Sequence, residues 1–405
     1  MRTDRLGLWI ALAAVAACLG AAALLSLWHY MSATAPRLHP NVQEVPSVQR
    51  AVPGPSVSDA VERGRAVARA HLSTKNLPGL SVAVGLDGEV AWAEGFGWAD
   101  LDTKAPVTPD TSFRIGTASM ALTSAALGLL VERGRLGLDD GIQTHVPAFP
   151  AAPRPVTVRQ LMAHVAGIRN DGGDEGPLFT VRCGRPADAL PHFADRPLLF
   201  EPGTRFHLSS YGWILLSAAI ESAAQAPFLQ VMRKQVFEPL GMHDTRADEA
   251  SAAAPDQATS YFPRFAADPG YGYHDMRPID LSCYAGASVF LSTPTDLVRF
   301  GMAIDRGELL APETVRLLTT SQRTADGQDT GYGLGWDLES VTVAGATTPV
   351  IGHDGDLLGG QVASLLMLRD RGLVVAVTSN ISYADTFTAA TRIAEAFLTR
   401  ASASR

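Results

Sequence analysis

Residues 6–28 run for 23 positions without a charge, and no other feature limits this chain's fold so tightly. A run of that length, helical, spans the hydrocarbon of a bilayer, about 30 Å thick. Arg2 and Arg5 precede it, which predicts a cytoplasmic N-terminus and everything after residue 31 on the far side. Three fates compete for the segment. A retained signal-anchor is the preferred reading, because the run exceeds an ordinary signal h-region. Cleavage after Ala33-Thr34-Ala35 is opposed by Pro36 at the next position. Lipidation at Cys18 is opposed by the apolar sequence that continues beyond it.

Residues 32–58 are rich in Pro, Ser, Val and Ala and read as an extended, flexible linker. Residues 59–400 are long and apolar enough for one large two-lobed domain with a real core. A formal net charge of −8 with no basic run argues against nucleic acid as a partner. No Gly-rich phosphate loop follows a strand, and no His/Cys/Asp/Glu cluster has metal spacing. The sequence therefore implies no cofactor and no metal. Outside the cytoplasm Cys183 and Cys283 are free to form a disulfide. Two separate buried thiols are the favoured reading, since sequence supplies no Cα separation.

The chemistry-bearing stretch is Arg114-Ile115-Gly116-Thr117-Ala118-Ser119-Met120. A strand-like run ends at Phe113. Residues 121–134 then show helical periodicity, with Leu122, Ala125, Ala126, Leu129 and Leu130 on one face and Gly134 as a stop. Thr117 and Met120 are three apart, so a helix places them on one face. A thioether accepts no proton at neutral pH, so Met120 is no base for the Thr117 hydroxyl. The bland reading makes Thr117 a helix N-cap and Met120 a filler of space. Ser119, two residues on from Thr117, faces elsewhere.

Ordered landmarks carry a resemblance. They are Leu77-Pro78-Gly79-Leu80-Ser81-Val82-Ala83-Val84 with Gly95-Phe96-Gly97, and residues 156–164 (Val-Thr-Val-Arg-Gln-Leu-Met-Ala-His) with Gly167-Ile168. Glu201-Pro202-Gly203-Thr204-Arg205-Phe206 and Leu291-Ser292-Thr293 with Asp296-Leu297 follow. Gly331-Tyr332-Gly333-Leu334-Gly335-Trp336 and Gly352-His353-Asp354-Gly355 complete the set. From about residue 59 to 398 the chain resembles the β-lactamase-related serine hydrolases: class C β-lactamases, D-alanyl-D-alanine carboxypeptidases and esterases of that fold.

The resemblance implies an α+β fold. An antiparallel sheet is expected from a hairpin at residues 80–97 and strands near 332–337, 341–350, 360–368 and 373–379. Helices at 59–73 and 384–398 flank it, and a mostly helical lobe, 117–290, is inserted. In the family, S-x-x-K supplies a nucleophile and its base. Here the matching positions are Thr117 and Met120. Its Y-x-N becomes Leu208-Ser209-Ser210, so Leu208 replaces the proton-transferring Tyr, while Ser210 still offers a hydrogen bond. Tyr211, on the next helix, is a poor stand-in. The third motif, His353-Asp354-Gly355, is intact, on a strand the resemblance places across the cleft from the nucleophile. Ser210, His353 and Gly355 are then the expected substrate-binding positions.

The chain has three lysines, Lys75, Lys104 and Lys234, none near a motif. His353 is the remaining titratable candidate, so an esterase or peptidase using Thr117 with His353 is the alternative. The preferred expectation is a membrane-tethered domain on the periplasmic side of an inner membrane. Its cleft is non-catalytic or impaired and binds a cell-wall peptide, an ester or a β-lactam-like small molecule.

Overall fold

Two apolar runs, Gln361–Leu368 and Leu373–Ser379, are buried along their whole length. They pair antiparallel at the centre of a sheet in the computed structural model. The structure describes residues 2–50, 54–150, 155–170, 177–248, 256–343, 345–357 and 359–399. Such runs need cover on both faces, and here both have it. The sheet strands are β1 (Ser47–Gln49), β2 (Gly79–Leu86), β3 (Glu89–Asp100), β4 (Asp337–Val343), β5 (Ala346–Leu357), β6 (Gln361–Leu368) and β7 (Leu373–Ser379). Their spatial order is β1-β3-β2-β7-β6-β5-β4, all neighbours antiparallel, with Ala105–Pro106 added on β3.

Six longer helices accompany the sheet: α1 (Arg2–Ala33), α2 (Ser58–Lys75), α3 (Ser119–Glu132), α4 (Ser210–Ala224), α5 (Pro294–Arg306) and α6 (Thr386–Leu398). Along β7 the side chains alternate between two cores, as a strand's period of two requires. Val374 and Ala376 join the core of α3 and α4, whereas Val375 and Val377 join Val61 and Leu72 of α2 and Ile393 of α6. The expected α+β class therefore holds, with α2 and α6 at the predicted flanks. The β2–β3 turn is Asp87-Gly88, both left-handed (φ 53° and 89°), as a two-residue hairpin prefers.

Two strand expectations change. Residues 332–336 form no strand: Tyr332 makes one isolated bridge to Asp337, and Gly335 (φ 95°) bends the chain. The run at 341–350 is a hairpin, β4 ending at Val343 and β5 starting at Ala346, with Gly345 (φ 78°) in the turn.

The flexible linker expected at residues 32–58 is corrected as well. Asn76 holds it at both ends of a turn, its Nδ2 donating to the Pro36 carbonyl and its Oδ1 accepting from the Leu38 N–H, each at 2.9 Å. Ser73 donates to the His39 carbonyl at 2.9 Å, and Val45 is buried. β1 then pairs with β3 as the outermost strand of the sheet. Residues 51–53 of that expected linker, and residue 400 of the expected domain, lie outside the described residues.

The expectation of separate thiols is overturned: Cys183 and Cys283 are bonded, with Cα atoms 4.8 Å apart. Residues 12–33 of α1 are largely apolar and almost all exposed, long enough to cross a membrane.

Candidate active site

β5 carries the third motif and runs directly beneath the turn that carries Thr117. Gly355 has no room for a side chain, because a Cβ there would collide with the Ile115 carbonyl. Only glycine lets strand and turn approach so closely. Thr117 lies in a 3₁₀ turn, Gly116–Ala118, and α3 begins after it at Ser119. The N-cap of α3 is Ala118, without a side-chain cap bond. The capping role expected of Thr117 is therefore absent. Its hydroxyl instead donates to the Asp354 carbonyl at 2.9 Å.

His353 reaches the same carbonyl. Its Nδ1 lies 2.8 Å from the Asp354 oxygen and 3.6 Å from Asp337 Oδ2, and its Nε2 lies 2.9 Å from the Tyr332 hydroxyl. A nitrogen facing a carbonyl must carry the proton, which assigns the tautomer. Nδ1–H donates to Asp354, and Tyr332 O–H donates to Nε2. Tyr332 is completely buried, and burial, helped by the Asp337 charge, pushes its phenol well above the ordinary tyrosine range. It stays a proton donor at any working pH. The strand expected across the cleft from Thr117 thus meets it at one carbonyl oxygen, though no direct Thr117–His353 bond forms among the described residues.

Met120 is fully buried on α3 and belongs to the core shared with α4. The lysines lie elsewhere. Lys75 pairs with Asp385 at 3.2 Å, Lys104 sits 5.6 Å from the Trp98 ring centre, and Lys234 pairs with Glu238 at 3.1 Å.

The second motif joins through residues that the sequence did not single out. Ser209 caps α4, accepting from the Gly212 N–H, while its hydroxyl donates to Asn170 Oδ1 at 3.2 Å. Its own N–H donates to His164 Nδ1 at 3.0 Å. The His164 ring lies 4.9 Å from Tyr332, with Phe206 and Trp213 also against it. Burial first, then the neighbouring His353 and His207, push its pKa down to about 3. A chain of contacts therefore runs from Ser209 through His164, Tyr332 and His353 to the carbonyl that binds Thr117. Ser210 is buried in the first turn of α4, its hydroxyl unbonded among the described residues, and Leu208 stands exposed on the lip. His164 and Tyr332 both lay inside recognised segments, and the left-handed backbone of His164 (φ 58°) marks a constrained position. A cavity of about 640 Å³ lies apart, beside Arg185, Glu221 and Gln225, and none of the motif positions lines it.

The Beta-lactamase family model matches residues 62–398. The chain belongs to the Beta-lactamase family. It is 28% identical over 345 residues to the human mitochondrial serine beta-lactamase-like protein LACTB, covering 64% of this chain and 61% of LACTB. The chain thus spans under two thirds of that relative's length. Penicillin-binding protein 4 of Amycolatopsis lactamdurans is 29% identical over 334 residues, covering 77% of this chain and 83% of the relative. Among solved structures, D-amino acid amidase from Ochrobactrum anthropi superposes with a TM-score of 0.71 at 25% identity, over 84% of this chain and 98% of the amidase. The octameric penicillin-binding protein homologue of Pyrococcus abyssi gives 0.70 at 25% identity, over 84% and 77%. In this Beta-lactamase family member, β5 and the Thr117 turn meet at the Asp354 carbonyl, Met120 is buried behind them and Leu208 is exposed ahead of α4.

Proposed function

We propose that this chain is a membrane-anchored, extracytoplasmic member of the Beta-lactamase family whose cleft binds a ligand without efficient acyl transfer. One observation carries the reading: the Thr117 hydroxyl donates its proton to the Asp354 carbonyl, and the side chain one turn on is a buried thioether. An activated nucleophile donates to a base instead. His353 offers none, since its free acceptor nitrogen faces Tyr332. Removing a nucleophile or base alone from a catalytic triad costs about six decades in turnover. Here nucleophile, base and tyrosine positions are all altered. Backbone groups of β5 and the Ser210 hydroxyl remain to hold a ligand. The names of the relatives suggest its class, a penicillin-like or D-amino-acid-containing amide or ester. The Cys183–Cys283 bond favours an oxidising compartment, and Arg2 and Arg5 ahead of α1 favour the periplasmic face.

The second reading, a Thr117–His353 hydrolase, draws on their shared contact with the Asp354 oxygen. Incubation of the protein with a fluorescent penicillin and a fluorophosphonate, followed by mass mapping, separates the two. No adduct is expected. A stable adduct on Thr117 sinks the non-catalytic reading. The fourfold variant Thr117→Ser, Met120→Lys, Leu208→Tyr, Ser210→Asn is expected to gain labelling that no single change confers, because such residues act as a unit.

A further inference from the structure

α1 does not end free of the domain. Its last turn packs on the loop between the short strands Tyr261–Pro263 and Tyr273–Asp275. The Tyr30 ring meets Phe265 edge-on, centroids 6.3 Å apart. Arg264 lies over the same Phe265 ring at 5.1 Å and donates through Nη1 to the Thr34 carbonyl at 2.9 Å. Carbonyls at a helix end lack helical partners, so this bond closes the terminus. Asn76 then grips the Pro36 carbonyl and the Leu38 N–H, and also reaches the Pro269 carbonyl at 3.4 Å. No free spacer separates helix from domain.

Trp28 and Tyr30, both more than half exposed, stand near the end of α1. Tryptophan and tyrosine concentrate at the level of lipid headgroups. Phe265, touching Tyr30, must then lie at that depth too. The loop tip beside it, Ala266-Ala267, is exposed, small and apolar, held left-handed at φ 54° and 51°. Arg37 is exposed close by, and Arg264 is half-buried, so cations are at hand for lipid phosphates.

We infer that residues 264–271 form a second membrane-contacting element, which meets phospholipid headgroups beside Tyr30 and holds the domain in one orientation against the bilayer. This rests on the reading of α1 as a membrane span. The contacts of Tyr30, Thr34 and Pro36 turn that span from a leash into a rigid mount.

The test uses the full-length chain with Cys18→Ser and one added cysteine, Ala267→Cys or, in an exposed stretch elsewhere on the domain, Ala325→Cys. Each is labelled with bimane and reconstituted in phosphatidylcholine–phosphatidylglycerol vesicles carrying a headgroup spin label. Co-sedimentation with the vesicles and strong quenching at 267, with none at 325, are expected. Adding Phe265→Glu and Arg264→Glu should abolish the quenching while α1 keeps the protein on vesicles. Failure to co-sediment overturns the anchor reading, and this inference with it. Co-sedimentation with equal, weak quenching at both positions overturns this inference alone. Ala267→Cys cross-links between two chains, without lipid quenching, assign the surface to a second copy and overturn it as well.

Discussion

The wall of the cleft built by β5 and the Thr117 turn has no space for a methyl group at Gly355, whereas the opposite lip leaves Phe206 and Leu208 each 41% exposed. The two walls hold their side chains under different constraints. On the packed wall Met120 lies fully buried in an apolar core, which a flexible thioether fills well. On the lip Leu208 is exposed, so packing constrains its side chain little.

The sharpest way to break this contrast is Met120→Lys. The new ammonium would replace a fully buried thioether in an apolar core, and roughly 3–5 kcal/mol should be lost. A urea midpoint unchanged from wild type would show that the packed wall yields. Next in size is Gly355→Ala. The added carbon meets backbone, the Ile115 carbonyl and the Ala118 N–H, neither of which can rotate away. About 3 kcal/mol of destabilisation is expected, read from the same melt.

A third probe is pH, through His164, which ties the lip to the packed wall. Its folded pKa, about 3, lies below the ordinary 6.5. The unfolded chain therefore binds a proton that the folded one refuses, and stability is complete above pH 6.5 and falls as pH drops toward 3. Between pH 6.5 and 5 the loss should be about 2 kcal/mol. Burial also holds His39 and His71 below their usual range, which adds in the same direction. In His164→Asn, a residue suited to the left-handed backbone, the slope should flatten to what those two supply. A slope unchanged in that variant would remove His164 from the account. Smallest of all, Leu208→Tyr should shift stability by no more than about 0.5 kcal/mol. A larger shift would mean that the lip is packed after all.

How much was legible in the sequence follows from how local each feature is. The family resemblance placed β6 and β7 almost to the residue, on runs that are buried along their whole length. β1 could not be placed, since three residues carry no period and its partner lies more than forty residues on. Motif spacing singled out Thr117, Met120, Leu208 and His353 as candidates. The hydroxyl's actual partner, 237 residues away, leaves no trace in spacing, and so Thr117 looked like a cap. Ser209, His164 and Tyr332 escaped for the same reason. Each sits in a recognised segment, yet its role exists only where separate segments touch.

The bond between Cys183 and Cys283 turns a stretch of chain with a sequence separation of 100 into a covalent ring that includes α4. A single cut by a protease anywhere within that ring leaves one molecule, not two fragments. Damage of that kind would stay invisible on a gel until thiols were added, and the nicked lobe would remain attached to the sheet that positions His353.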